Sequence, residues 1–283
     1  KELMRNYMRN IHESVIMGEN VSIECENVTI GKYSKIGNNV KIKCKELVIG
    51  DHLYMADNVE IGRGGCTNPE SVVKIGNGVG IFENTIINPN SSVEIGDNTG
   101  IGAEVMIWTH GAWLDILEGF PSDFGPVKIG SNVWLPARGV VLPNVTIGND
   151  VVIGINSTIN RSLPDGCLAA GTPCKVIKEN VYPQKLDKGE TTIMIMDILV
   201  DWIKLCQYKE VEVDVSDIKY YSEERKIYLN HDDNETIYDI ETRTMEGYVG
   251  PISEDLRDYL RRRGIKIYTE NRFQSIQPKW RKQ

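Results

Sequence analysis

Histidine is scarce in this 283-residue chain, with only four, at positions 12, 52, 110 and 231. Any chemistry that needs imidazole therefore has few candidates. Cationic excess is also missing. Lys and Arg number 32 against 40 Asp and Glu, for a net charge of −8 and a pI near 5.2. This argues against nucleic acid as the main partner. There is no run of 18 apolar residues, so no transmembrane segment is expected. The opening Lys1-Glu2-Leu3-Met4-Arg5-Asn6 has none of the apolar stretch of a secretory signal. The six cysteines, at 25, 44, 66, 167, 174 and 206, form no C-x-x-C and pair with no histidine at metal-ligand spacing. They read as reduced, cytosolic thiols, and no metal is expected.

What is present is a repeat. One tetrad recurs as Val28-Thr29-Ile30-Gly31, Leu47-Val48-Ile49-Gly50, Val73-Lys74-Ile75-Gly76, Val93-Glu94-Ile95-Gly96, Val127-Lys128-Ile129-Gly130 and Val145-Thr146-Ile147-Gly148. Its glycines are spaced by 19, 26, 20, 34 and 18 residues. The shortest interval is three hexapeptides. Each hexapeptide supplies a short strand, an inward aliphatic and a corner, and three of them close one triangular coil. Corners favour residues that tolerate positive φ, and Gly37-Asn38-Asn39, Asp57-Asn58, Gly96-Asp97-Asn98 and Gly148-Asn149-Asp150 supply them. Cys25 and Cys44 lie five residues before successive tetrad isoleucines and should stack as small buried side chains. The two long intervals mark insertions, at residues 63–70 and 111–126, where a solenoid carries surface loops.

The repeat stops after Tyr182-Pro183, which divides the chain into 1–183 and a C-terminal α/β domain, 184–283. In the latter, Ile193 to Leu205 reads as a helix, with Thr191–Ile195 open to a strand reading. Val211, Val213 and Val215 alternate like a strand. Residues 226–230 and 236–240 flank a hairpin turn at His231-Asp232-Asp233-Asn234. Ser253-Glu254-Asp255 opens a helix that runs through Arg263 and closes at Gly264, and Ile265–Tyr268 reads as a last strand.

Three segments carry a resemblance to a known family: Trp108-Thr109-His110, Val127-Lys128-Ile129-Gly130-Ser131-Asn132-Val133-Trp134, and Leu168-Ala169-Ala170-Gly171-Thr172-Pro173-Cys174-Lys175. Over about residues 11 to 180 the chain resembles the hexapeptide-repeat acyltransferases, most closely the branch that O-acetylates sugars and polysaccharides. The resemblance implies a mainly β fold, a left-handed parallel β-helix. It also implies acetyl-CoA as acyl donor, a saccharide acceptor, a homotrimer with active sites between subunits, and a cytoplasmic location.

Acetyl transfer to a hydroxyl needs a base for the attacking oxygen, donors for the tetrahedral oxyanion, and a proton for the departing thiolate. By resemblance His110 is the base. Glu104, Asp115, Glu118 or a backbone carbonyl are candidates to orient its second nitrogen. On the donor side the resemblance points to Trp134 beside the acyl arm, to the backbone N–H of Ala137 at the thioester oxygen, and to Arg161, Lys175 and Lys178 at the phosphates. Pro136 and the pair Ile155-Asn156 depart from the family pattern at the donor groove. On the acceptor side it points to Asn84 and Asn90, where the family's usual acid is missing. In the long insertion, Trp113 is a candidate sugar-stacking residue among Leu114, Ile116, Leu117, Phe120 and Phe124, which form a lid or a subunit contact. His12, His52 and His231 read as structural. The expectation is O-acetylation of a sugar hydroxyl in bacterial surface polysaccharide synthesis. The rivals are N-acetylation of an amino sugar, free or nucleotide-linked, a zinc-dependent γ-type carbonic anhydrase on the same fold, and a noncatalytic binding solenoid.

Overall fold

The computed structural model describes residues 8–281. Two compact units divide the chain, Lys1–Gln184 and Lys185–Gln283.

The first unit is a hexapeptide β-helix with three faces of seven, nine and seven strands, parallel throughout except for the last strand of the second face, Lys175–Lys178. The tetrads build the first face, from Met8–Ile11 through Asn27–Ile30, Glu46–Ile49, Val72–Ile75, Val93–Ile95 and Val127–Ile129 to Thr146–Ile147. Register is kept throughout: Ile30, Ile49, Ile75, Ile95, Ile129 and Ile147 are successive partners, and all are buried. Burying each isoleucine contributes about 2–3 kcal/mol, so this column is a principal stabiliser of the coil stack. The glycine after it is required by close approach. A Cβ on Gly31 would lie 2.6 Å from the Gly50 carbonyl carbon of the next coil.

A polar side chain at the corner of each next coil, after the tetrad glycine in all but the last, caps the turn before it. Asp51 accepts from the Lys32 N–H, Asn77 from Asp51, Asp97 from Asn77, Ser131 from Asp97, Asn149 from Ser131 and Asp165 from Asn149, at 2.6–3.0 Å. This ladder satisfies backbone donors that the turn leaves without a strand partner. Left-handed corner residues follow, among them His52, Asn98, Asn132 and Asp150, with φ between 55° and 58°. Cys25 and Cys44 stack with Sγ atoms 3.4 Å apart, both as free buried thiols.

Both insertions leave the third face. The shorter follows Glu60–Ile61 and the longer follows Met106–Trp108.

The second unit packs helix α1 (Lys188–Tyr208) and helix α2 (Pro251–Arg262) with a four-stranded antiparallel sheet, formed by Ile218–Tyr221, Lys226–His231, Asn234–Asp239 and Thr244–Gly247. The start of α1 is fixed by a reciprocal cap, Asp187 accepting from the Glu190 N–H and Glu190 from the Asp187 N–H. The segment 191–195 is therefore helical. The hairpin turns at Asp232-Asp233, both left-handed, and Gly264 ends α2 with φ +85°. Two expected strands are absent. Around Val211–Val215 only Val213 is buried, and Val215 begins a 3-10 turn. Ile265–Tyr268 is irregular because a side chain replaces the strand partner: buried Arg257 donates to the carbonyls of Ile267, Asn271 and Arg272.

Candidate active site

His110 lies one residue beyond the third-face strand Met106–Trp108, at the corner where the chain would otherwise turn to the first face. Thr109, fully buried, anchors it. Its hydroxyl donates to the Asn88 carbonyl at 2.8 Å and accepts from the Ser91 N–H at 2.9 Å. The insertion then begins as a two-residue antiparallel pair, with His110 opposite Phe124 and Gly111 opposite Asp123. Its tip holds a short 3-10 turn, Ile116–Glu118, capped by the Asp115 carboxylate on the Leu117 N–H. The returning strand is tied down twice. The Gly125 N–H donates to the Thr109 carbonyl at 3.0 Å, and the Asn144 amide donates to the Phe124 carbonyl at 3.2 Å.

The imidazole is half-buried between two aromatic rings. Phe124 stacks on it at 5.8 Å and 23°, and Trp108 meets it edge-on at 6.3 Å and 72°. Its Nδ1 is buried and has no hydrogen-bond partner. None of the expected orienting groups reaches it. Glu104 is held by Arg138 at 2.7 Å and Asp115 caps the 3-10 turn, while Glu118 and every backbone carbonyl leave Nδ1 unpaired. A buried ring nitrogen without a partner is costly, and a group arriving from outside meets the half-buried ring at its other nitrogen, Nε2.

The other candidate residues fall into separate places. Trp134 lies on the second face, 43% exposed, edge-on to Phe82. Its ring covers Gly100, where a Cβ would stand 2.6 Å from Cε3. Ala137 follows at the corner between the second and third faces, and its N–H makes no hydrogen bond among the described residues. Asn84 occupies that same corner two coils earlier, exposed and left-handed at φ 58°. Arg161 is exposed after the third-face strand Thr158–Ile159, on the corner column that carries His110. Lys175 and Lys178 are exposed on a strand that pairs antiparallel with Leu168–Ala170 at the end of the second face. None of these three cations pairs with a carboxylate among the described residues, which fits them for phosphate.

Asn90 is used differently from expectation. It is 6% exposed, and its amide is engaged on both sides, donating to the Gly65 carbonyl at 2.6 Å and accepting from the Asn68 amide at 2.9 Å. It braces the shorter insertion. Trp113 is 95% exposed, with Leu114, Ile116, Leu117, Phe120 and Phe124 also exposed around it. His12 bonds Ser14 and His12, Tyr33 and His52 form a ring ladder on successive corners. His231 bonds Asp217 at 3.2 Å and lies 3.3 Å from Asp232. No group of three or more His, Cys, Asp or Glu side chains among the described residues is placed to hold a metal. No helix among them is long and apolar enough to cross a membrane.

Sequence reasoning singled out His110 but gave no positioning role to the residues that hold it, Thr109, Phe124 and Asn144. The available signal was Phe124-Gly125-Pro126 at the end of the loop, an aromatic followed by a residue small enough for close approach.

No family model matches the chain. A Staphylococcus aureus (strain MRSA252) protein provisionally named as an acetyltransferase is 43% identical over 76 residues, 26% of this chain and 38% of that protein. The galactoside O-acetyltransferase of Escherichia coli (strain K12) is 46% identical over 54 residues, 19% of this chain and 27% of that protein. The chain thus matches well under half the length of these curated relatives. Among solved structures, the polysialic acid O-acetyltransferase OatWY aligns at 23% identity and a TM-score of 0.45, covering 64% of this chain and 89% of that one. By its coil register the chain is a hexapeptide-repeat β-helix, and by its sequence it is similar to acetyltransferases, the galactoside O-acetyltransferase among them.

Proposed function

We propose that the chain is an acetyl-CoA-dependent O-acetyltransferase that modifies a sugar hydroxyl in bacterial surface polysaccharide synthesis. The observation that carries this reading is the imidazole of His110, held between two rings and left with a buried, unpaired nitrogen at the root of an anchored hairpin. The similarity to acetyltransferases gives the class of reaction, and the galactoside enzyme among the relatives supports a sugar acceptor.

In this reading His110 removes the proton from the acceptor hydroxyl as its oxygen attacks the thioester carbon. The unbonded N–H of Ala137 stabilises the oxyanion. As the carbon–sulfur bond breaks, the imidazolium returns its proton to the CoA thiolate. Trp134 flanks the acyl arm, and Arg161, Lys175 and Lys178 hold the phosphates. Asn84 and Trp113 are assigned to the acceptor side.

A homotrimer completes the site. Asn84 and Ala137 lie on one edge of the third face and His110 on the other. A face one hexapeptide wide separates those edges by about 15–20 Å. A single chain does not close that gap, whereas a neighbouring copy set against the face does. Acetyl-CoA is a cytosolic donor, which assigns the protein to the cytoplasm.

The test is release of CoA thiol from acetyl-CoA across a panel of saccharide acceptors. His110→Ala should lower kcat by about 10²–10⁴-fold. Unchanged turnover in that variant would remove His110 as base.

A further inference from the structure

Three of the six cysteines line one open cavity of about 780 Å³, at the corner between the third and first faces. The proposed reaction uses none of them. Cys25 and Cys44 occupy equivalent places in successive coils, since Glu24 pairs with Lys43 before them and Asn27 with Glu46 after them. Such coils stand about 4.8 Å apart, inside the Cα separation of about 4.4–6.8 Å that a disulfide spans. The two sulfurs already touch at 3.4 Å. The cavity gives a small reagent access to them, between Arg9 on one side and Asn68 and Pro69 of the shorter insertion on the other. The third thiol, Cys66, is engaged elsewhere and donates to Asn88 Oδ1 at 3.7 Å. Cys167, Cys174 and Cys206 are buried in other places, and burial pushes each of those thiols up.

From this geometry we infer that Cys25 and Cys44 are a redox modification site, a dithiol that closes to a disulfide by exchange with a low-molecular-weight disulfide. Cys25 is the attacking sulfur. The Cys44 S–H has two acceptors, the Glu46 carbonyl at 3.4 Å and the Cys25 sulfur. Given to Cys25, that hydrogen bond holds the Cys25 thiol below its ordinary value against the opposing effect of burial. The same contact, together with burial, pushes the Cys44 thiol up. The thiolate is the nucleophile in exchange, so the step starts at Cys25. Its sulfur attacks one sulfur of the small disulfide, the S–S bond of that molecule breaks, and one small thiolate leaves. Cys44 then gives its proton to the departed thiolate, attacks the Cys25 sulfur of the mixed disulfide and expels the second small thiol. The chain loses two electrons and two protons, and the small disulfide is reduced to two thiols. Where small thiols prevail, the reverse exchange restores the pair.

The test uses the reduced full chain in the absence of denaturant, with oxidised glutathione as the probe. After an acid quench the remaining thiols are blocked with N-ethylmaleimide, and the chain is digested with trypsin for mass spectrometry. The linked product should be peptide 10–32, which holds Cys25, joined to the dipeptide 44–45, which holds Cys44. Thiols counted after unfolding should fall by two from the six of the reduced chain, and dithiothreitol should restore them. Cys44→Ser should retain glutathione on Cys25, because no second thiol expels it, and Cys25→Ser should leave Cys44 unmodified. The wild-type result stands by itself should either variant fail to fold. A bond from Cys66 to either sulfur, glutathione left on the wild-type chain with no internal bond, or reaction only after unfolding in urea overturns the inference. Glutathione on Cys44 of Cys25→Ser, gained as fast as on Cys25 of Cys44→Ser, overturns the order of attack.

Discussion

The contact between Gly125 and Asn144 offers a sharp handle on whether the hairpin positions His110. A Cβ built on Gly125 would fall 1.7 Å from Asn144 Oδ1, far inside van der Waals contact. Gly125→Ala therefore forces the Asn144 amide to swing away, which removes its hydrogen bond to the Phe124 carbonyl. Losing that bond costs about 1 kcal/mol, and an off-rotamer asparagine or a shifted strand adds about 1 kcal/mol. A total near 2 kcal/mol, taken from the docked hairpin, lowers kcat/KM by about tenfold to thirtyfold. The unfolding midpoint should barely move, because the isoleucine column lies elsewhere. Asn144→Ala alone loses only the bond, for about fivefold. The double variant Gly125→Ala/Asn144→Ala removes the clash as well, so it should be no worse than Asn144→Ala and better than Gly125→Ala. The assay is the thiol-release rate across this cycle, with coupling of about 2 kcal/mol between the two sites. Additive losses, or Gly125→Ala at wild-type activity, would refute the link between hairpin docking and the imidazole.

Two further outcomes concern stability. Ile95→Ala empties one rung of the buried isoleucine column and should cost about 2–5 kcal/mol in urea unfolding; a loss below about 1 kcal/mol would mean that the coils carry their stability elsewhere. Burial pushes the Cys206 thiol up to about 12 from its ordinary 9.0. The unfolded thiol ionises first, so this group's stabilisation is complete below about pH 9 and declines as pH rises toward 12. Stability of Cys206→Ala, measured by urea titration at stepped pH, should fall less steeply over that window than that of the parent chain, and parallel curves would disprove the assignment.

The β-helix was legible because its determinants are local and repeated. Each Ile-Gly unit states an inward side chain and a close approach, and from Gly50 on an Asp, Asn or Ser adds the corner cap; the observed register, Ile30 to Ile147, joins those same residues. The turn at Asp232-Asp233 was legible for a similar reason. Val211–Val215 and Ile265–Tyr268 were not. Alternation alone does not say whether a backbone partner exists, and for Ile267 the partner is a guanidinium ten residues back, on α2. At the site, His110 is marked by its flanking motif. The double engagement of Asn90 arises from an insertion 22–25 residues away, and the stacking of Phe124 from a loop return. Such contacts depend on where an insertion lands, and no short motif encodes that.

Placement of His110 and Ala137 on opposite edges of one face leads to a last test, of whether two chains build each site. If they do, a base-deficient variant and a donor-side variant should complement one another. His110→Ala retains the edge with Ala137 and Trp134, and Trp134→Ala retains the edge with His110. When equal amounts are unfolded together and refolded, or co-expressed, chains assort at random among the copies of a cyclic assembly. An interface is whole only when its imidazole comes from the Trp134 variant and its donor edge from the His110 variant, which holds for about one quarter of interfaces. Activity should rise to about one quarter of the wild-type level, well above the mean of the two separate variants. A site formed within one chain predicts no rise, since no chain in the mixture carries both residues. The mixed sample showing only the average of its parents would therefore remove the intersubunit site, while leaving the chemistry assigned to His110 to be judged by its own substitution.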